Sequence, residues 1–282
     1  MKAIILNLSA WVMLPIMDGF AKYLSSTLPV LQITWSRYFF TVVIALPIML
    51  IFFRKNLTWT EQPKLQLIRG LLLFCANVLF FYSISIISLA KALTLAFIAP
   101  LIVTVLSPVL LGEKVGLRRW AAVIIGFIGS LIVIRPGFVE INLASIAALG
   151  TGVLYGFYLI VTRKLHNSDH PLLTLLITGV VGAILGTMIM PAVWIQPTII
   201  EWYMMFAIGF FASIGHLFLI LSLRYAEASK LAPFSYFEIV TNVIIGFYFF
   251  NHFPDNWTFL GLFIIMSTGI YIFTREVQIK SN

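Results

Sequence analysis

Glu238 sits near the middle of Ser229 to Asp255, SKLAPFSYFEIVTNVIIGFYFFNHFPD, an apolar stretch long enough to cross a bilayer. A carboxylate at that depth costs several kcal/mol, from about 2.5 upward, so it needs either a use or a partner. Pro233 lies a turn and a half before it and removes a backbone donor. Phe234, Glu238, Asn242 and Ile245 then recur at helical spacing on one face. An acid, an amide and an aromatic ring on one face suit the lining of a cavity. The competing reading pairs Glu238 with a basic group of another helix, where it only fixes the packing.

Other polar groups fall inside apolar runs. Asp18 and Lys22 stand one turn apart at the end of the first run. They either neutralise each other, with Lys22 snorkelling to the interface, or form part of a gate or solute contact. Arg37 presents a planar fork suited to carboxylates and requires an acid or an anionic solute nearby. Between Lys91 and Leu111, the positions Thr94, Phe97 or Ile98, Leu101 and Thr104 follow helical spacing, and Pro100 frees a carbonyl one turn back. The bend at Pro100 and Pro108 either kinks a packing helix or widens the bundle around a solute opposite Phe234 and Glu238. Asn77, Tyr82, Tyr155, Tyr158, His216 and Tyr236 are further polar or aromatic positions; His216 in addition titrates near neutral pH when unperturbed.

The elements that must position these groups are membrane helices. The 282 residues are 61% hydrophobic and only 10% charged, with a mean hydropathy of +1.04, which excludes a soluble globular domain. The net charge of +8 and pI near 9.7 do not point to nucleic acid, because the basic residues lie in short clusters between apolar runs. The single cysteine, Cys75, lies within an apolar run, where packing is its default role. Ten spans follow, at 3–22, 30–53, 66–87, 90–111, 118–135, 142–162, 171–193, 202–223, 229–250 and 257–274. The first begins like a signal peptide at Lys2 but has no small-x-small cleavage site, so it reads as a retained helix. With the N-terminus inside, fourteen of the eighteen Lys and Arg, Arg69 among them, fall in inner segments, which places both termini in the cytoplasm.

Ten spans divide into two fives, and duplication of an odd unit inserts the second copy upside down. Pro29 and Pro171 both open the second span of their half, and Pro47 and Pro191 stand near its end. Gly112-Glu113-Lys114 and Asn251-His252-Phe253-Pro254 both separate the fourth and fifth spans, and aligning them sets Ala99 against Glu238. The expected organisation is an all-α polytopic membrane protein of two inverted five-helix repeats, residues 1–137 and 138–282. Gly126, Gly129, Gly179, Gly182 and Gly186 permit close helix contacts, within the chain or in a dimer.

The chain has no P-loop, H-E-x-x-H, G-x-S-x-G or paired Cys/His set. No cofactor and no metal are expected, and the reading is not an enzyme. Energy would come from a proton or a counter-solute. The sequence resembles the drug/metabolite transporter superfamily of EamA type through Ile68-Arg69-Gly70-Leu71, Ala99-Pro100-Leu101, Leu111-Gly112-Glu113-Lys114, Arg119-Trp120 and Gly126-Phe-Ile-Gly129. It is similar to the bacterial S-adenosylmethionine uptake branch through Asp18 with Lys22-Tyr23-Leu24, Arg37-Tyr-Phe-Phe, Ala232-Pro233-Phe-Ser-Tyr236 with Glu238, and Asn251 to Asp255. The resemblance implies ten helices in two inverted repeats around a cavity lined chiefly by the third, fourth, eighth and ninth. It departs from the family at Asn251-His252, where the second half has no Gly-Glu.

The expectation is therefore an inner-membrane secondary transporter for a small polar metabolite, working by alternating access as a monomer or homodimer in the lipid bilayer. Glu238, Arg37, Asp18, Phe97, Thr94, Thr104, Phe234, Tyr236, Asn242, Asn77, Tyr82 and His216 are its candidate binding residues, and Lys22, Glu238, Pro100 and Pro233 its candidate gating or coupling residues. The rivals are an organic-anion or vitamin carrier of the same fold, with Arg37 and Lys22 as recognition groups, and a membrane-embedded enzyme. The second lacks an apparent nucleophile, acid–base pair or metal set.

Overall fold

The computed structural model describes residues 1–87, 89–134, 142–250 and 255–281, and every regular element among them is a helix. The first half runs α1 (Lys2–Leu24), α2 (Val30–Phe52), α3 (Pro63–Ile86), α4 (Leu89–Ala96), α5 (Ile98–Leu111) and α6 (Leu117–Ile134). The second runs α7 (Leu143–Lys164), α8 (Pro171–Val193), α9 (Ile199–Tyr225), α10 (Ala228–Leu231), a 3₁₀ turn over Ala232–Tyr236, α11 (Phe237–Phe250) and α12 (Asn256–Ser281). Six of these, α1, α2, α3, α7, α8 and α9, are long and apolar enough to cross a membrane as single helices. The boundary expected at 137 falls outside the described residues.

Local signals set the helix ends. Pro63 and Pro171 open α3 and α8, where a missing N–H costs nothing. Asn142 caps α7 through a 2.9 Å bond from the Ser145 amide, and Thr198 with Glu201 forms a reciprocal capping box on α9. Gly112, at φ 68°, ends α5 in the left-handed region that favours glycine.

The packing is reciprocal between halves. α3 lies along α7 and α8, as α9 lies along α1 and α2; α2 meets α8, and α6 meets α12. Each pairing maps onto another, or onto itself, when the halves are exchanged, as an inverted two-repeat membrane fold requires. The glycines serve contacts inside the chain. Cβ atoms at Gly179 and Gly186 would press on Thr41 and Trp35 of α2, and one at Gly129 would press on Ile265 of α12. Cys75 is exposed on the outer face of α3 instead of packing in the core.

The fourth and ninth spans are each interrupted. α4 stops at Ala96 and α5 restarts at Ile98, so the chain breaks at Phe97 instead of kinking at the prolines. Pro100 thereby falls in the first turn of α5, where its lost donor has no partner to lose. The carbonyl it frees, that of Ala96, lies against Gly152 of α7. A Cβ at Gly152 would stand 2.6 Å from that oxygen and 2.5 Å from Ile98 Cγ2. Because the opposing oxygen is backbone, Gly152→Ala is expected to destabilise by about 1–3 kcal/mol, as overpacking does. A lower melting temperature of the purified protein, with Gly150→Ala as a milder control, checks this.

Candidate functional site

Glu238 stands in the first turn of α11, immediately after the 3₁₀ turn, and not in the middle of a continuous helix. A carboxylate in the first turn of a helix is favoured by the positive end of its dipole, although the 3₁₀ turn already occupies the Phe237 amide. Its side chain borders a central cavity of about 80 Å³, while the residue as a whole is 9% exposed. Asp18, on α1, lines the same cavity and is close enough to Glu238 for each charge to act on the other. Among the described residues neither carboxylate is ion-paired, and Asp18 Oδ1 has no hydrogen-bond partner.

The remaining wall comes from both halves. Trp11, Leu14 and Met17 precede Asp18 on α1; Asn77 and Phe80 come from α3; Leu93, Phe97 and Pro100 come from the interrupted fourth span. Thr151, Tyr155 and Leu159 of α7, His216 of α9 and Ser235 of the 3₁₀ turn close the far side. The first and sixth spans thus contribute alongside the third, fourth, eighth and ninth. Trp11 is fixed by a 2.9 Å bond from its Nε1 to Asn7 Oδ1 and meets Tyr155 edge-on with centroids 6.4 Å apart.

The other candidates occupy different places. Phe234 and Pro233 line a separate apolar cleft against α1 and α12, because the 3₁₀ turn shifts the phase between Phe234 and Glu238. Tyr236 is fully buried against Phe97, with centroids 5.6 Å apart, and its ring lies over Gly126. Asn242 donates to the Glu238 carbonyl at 2.9 Å, and Thr104 to the Pro100 carbonyl at 2.8 Å. Tyr82 is half-buried outside the cavity wall. The side chain of Thr94 lies outside the described residues.

Arg37 is 2% exposed and reaches neither acid; it touches His216 Nε2 and donates to Tyr38 Oη at 2.9 Å. His216 Nδ1 in turn lies 2.9 Å from Tyr158 Oη, which also accepts from Arg69 Nη2 at 2.9 Å. Arg69, counted from sequence among the inner-segment charges, is completely buried between α3, α7 and α8, where Thr162, Thr178 and the Thr174 carbonyl take its other donors. Asn77 ties the cluster to the cavity through a 2.9 Å bond to Tyr38 Oη. Sequence reading missed Arg69, Trp11, Thr151 and Ser235. Trp11 and Leu14 were findable, since they precede Asp18 by seven and four residues on one helical face.

The two ends of the bundle are tied differently. Lys22, in the last turn of α1, donates to the carbonyls of Ile84 and Ile87 at the end of α3. Arg163, in the last turn of α7, likewise donates to the Leu223 carbonyl near the end of α9, at 2.7 Å. A cation at a helix C-terminus satisfies orphan carbonyls and the dipole together. Among the described residues the ion pairs across the halves lie at the Arg163 end. Glu113 accepts from Arg163 Nε at 3.2 Å, from the amides of Ala228 and Ser229 at 2.9 and 3.0 Å, and from the Ser229 hydroxyl at 2.7 Å. Arg119 and Glu227 add a second cross-half ion pair at 2.6 Å. Lys22→Met keeps the stem and removes the donor, and is expected to lower stability by about 1 kcal/mol. Chemical denaturation of the detergent-solubilised protein checks this.

Membrane-spanning helices built twice in opposite senses, closing on a central cavity with two carboxylates that have no ion pair among the described residues, define a helical carrier of small molecules. The chain belongs to the EamA-like transporter family, which it matches twice, over residues 1–135 and 142–275. It is 27% identical over 259 residues to the S-adenosylmethionine uptake transporter of Rickettsia conorii, covering 92% of this chain and 88% of that one. It is 26% identical over 280 residues to the riboflavin transporter of Vibrio cholerae, covering 96% and 92%. A solved crystal structure shares the fold, with a TM-score of 0.77 over 94% of both chains at 18% identity. The chain is accordingly a transport protein and not an enzyme.

Proposed function

We propose that the chain is a secondary active transporter of a small polar metabolite, cationic or zwitterionic and amino-acid- or S-adenosylmethionine-like, in the bacterial inner membrane. The repeats are taken as residues 1–137 and 138–282, and both termini as cytoplasmic. One observation carries the charge preference: Glu238 and Asp18 face the same cavity, and among the described residues no cation is paired to either. Buried carboxylates so placed attract a positive group of the solute or a proton, and either would relieve their mutual repulsion. Phe97 and Trp11 offer aromatic faces, and Asn77, Thr151 and Ser235 offer hydrogen bonds. Arg37 acts on the site through His216.

Transport proceeds by alternating access. A cavity of about 80 Å³ holds only a few waters, so a metabolite enters once one end of the bundle has parted. The contact of Lys22 with α3 latches one end, and Glu113 with Arg163 latches the other. Pro100 and Pro233, at the two interrupted spans, mark where the helices flex.

An organic-anion carrier is the second reading, favoured by the unpartnered Nε of Arg37. Lys22, occupied by carbonyls, is not available to it as a recognition group. Counterflow in liposomes separates the two. Unlabelled lysine-like and sulfonium or other cationic zwitterions are expected to exchange with the labelled solute, and dicarboxylates are not. Exchange with dicarboxylates alone would overturn the proposal in favour of the second reading.

A further inference from the structure

Behind His216, on the side away from the acids, a gap of about 10 Å³ is enclosed by Arg37, Tyr38, Arg69, Tyr158, Thr178 and their apolar neighbours. No carboxylate lines it. Arg37 and Arg69 are 2% and 0% exposed, and among the described residues neither is in an ion pair. Asp18 feels the field of Arg37 from the neighbouring cavity, without a hydrogen bond between them. Two guanidinium charges are therefore buried with no anion in contact, which a protein interior tolerates only with compensation.

The hydrogen-bond roles sharpen this. A guanidinium has donors and no acceptor, so the His216 Nε2 that meets Arg37 must be the accepting nitrogen. In the neutral ring Nδ1 then carries the proton and donates to Tyr158 Oη. That oxygen already accepts from Arg69, so the Tyr158 O–H has no acceptor within the cluster. Tyr38 Oη likewise accepts twice, from Arg37 and Asn77, and its own O–H is unused. Arg37 Nε completes a set of unused donors, having no partner although buried.

We infer that this gap is an anion site, and that it takes a monovalent anion of halide size from the medium, held by the phenol O–H groups of Tyr38 and Tyr158 and the guanidinium of Arg37. Water offers such donors an acceptor but leaves both charges uncountered; a halide answers both needs. The gap admits about one water-sized guest, so a chloride, somewhat larger than water, enters with small outward shifts of the lining side chains, whereas phosphate, sulfate or a whole metabolite is excluded. The inference is independent of which solute is carried, since the site is walled from the central cavity by His216.

Thermal unfolding of the purified full-length protein in detergent tests it, with sodium chloride or bromide exchanged for sodium gluconate at constant ionic strength. A saturable rise in melting temperature with chloride and bromide is the expected result. Tyr158→Phe keeps both charges and the ring; it removes the O–H offered to the anion together with the oxygen that accepts from Arg69 and His216, and should raise the half-saturating chloride concentration about tenfold, the effect of one charge-assisted hydrogen bond. Identical melting in chloride and gluconate would overturn the site, and this arm requires no variant to fold. Saturable stabilisation by acetate or glycine without any by chloride would overturn the halide assignment and hand the cluster to the carboxylate of a solute.

Discussion

Glu238→Gln protein reconstituted in liposomes is expected to lose solute uptake to background, and its residual exchange is expected not to vary with pH. The amide keeps the size and leaves the first turn of α11 intact, so folding should be preserved. What it removes is a carboxylate facing the cavity with no ion-pair partner among the described residues. Removing one partner of a buried charged contact costs about 3–5 kcal/mol, or a loss of roughly 200-fold or more in solute affinity or turnover. Asp18→Asn should weaken uptake in the same direction, because it removes the second carboxylate of the cavity. Direct measurement of uptake against internal and external pH checks both. Wild-type rates with an unchanged pH profile in Glu238→Gln would remove that residue from the mechanism.

Glu113→Ala is expected to open one end of the bundle. Its carboxylate takes two backbone amides and a hydroxyl at the start of the interrupted ninth span, and the Arg163 guanidinium from the end of α7. Among the described residues Arg163 is left with the Leu223 carbonyl, and α10 with uncapped amides. The loss is about 3 kcal/mol by comparison with other broken, largely buried ion pairs. A cysteine introduced at Leu231, which is buried, in a protein with Cys75 replaced by serine, reports the opening. Faster thiol labelling at Leu231 in the Glu113→Ala background is the expected outcome, together with a lower melting temperature. Glu113→Gln, which retains one acceptor oxygen, should fall between.

The bundle was legible in the sequence because lipid forces each span to satisfy its own backbone, and hydropathy records that demand directly. The reciprocal packing of α3 on α7 and of α1 on α9 was accessible through the even count and the paired prolines. The interruption at Phe97 was not. Pro100 announces a freed carbonyl, but where the helix parts depends on Gly152, some fifty residues away, admitting that oxygen against α7. Phe234 and Glu238 share a face only if the helix is continuous, and the 3₁₀ turn between them places them on different cavities.

The polar cluster shows the same limit. Arg37, Arg69, Tyr158 and His216 each read as an isolated position, and only the antiparallel meeting of α2, α3, α7 and α9 brings them into hydrogen-bonding range. Charge counting placed Arg69 at an interface because the fourth residue of the span 66–87 looks like its rim. Its burial is decided by hydroxyls on α7 and α8 that no local window contains.

Arg69 also constrains how this chain is made. As α3 leaves the ribosome, its guanidinium meets hydrocarbon, a penalty of about 2.5–3.5 kcal/mol on insertion scales, and every group that satisfies it is still untranslated. The early half must therefore wait at the translocon, or hold α3 shallow, until Tyr158, Thr162 and the start of α8 emerge. Biogenesis is thereby coupled across the duplication: an N-terminal fragment ending near residue 134 should be a substrate for membrane quality-control proteases, and co-synthesis of the missing fragment should rescue it.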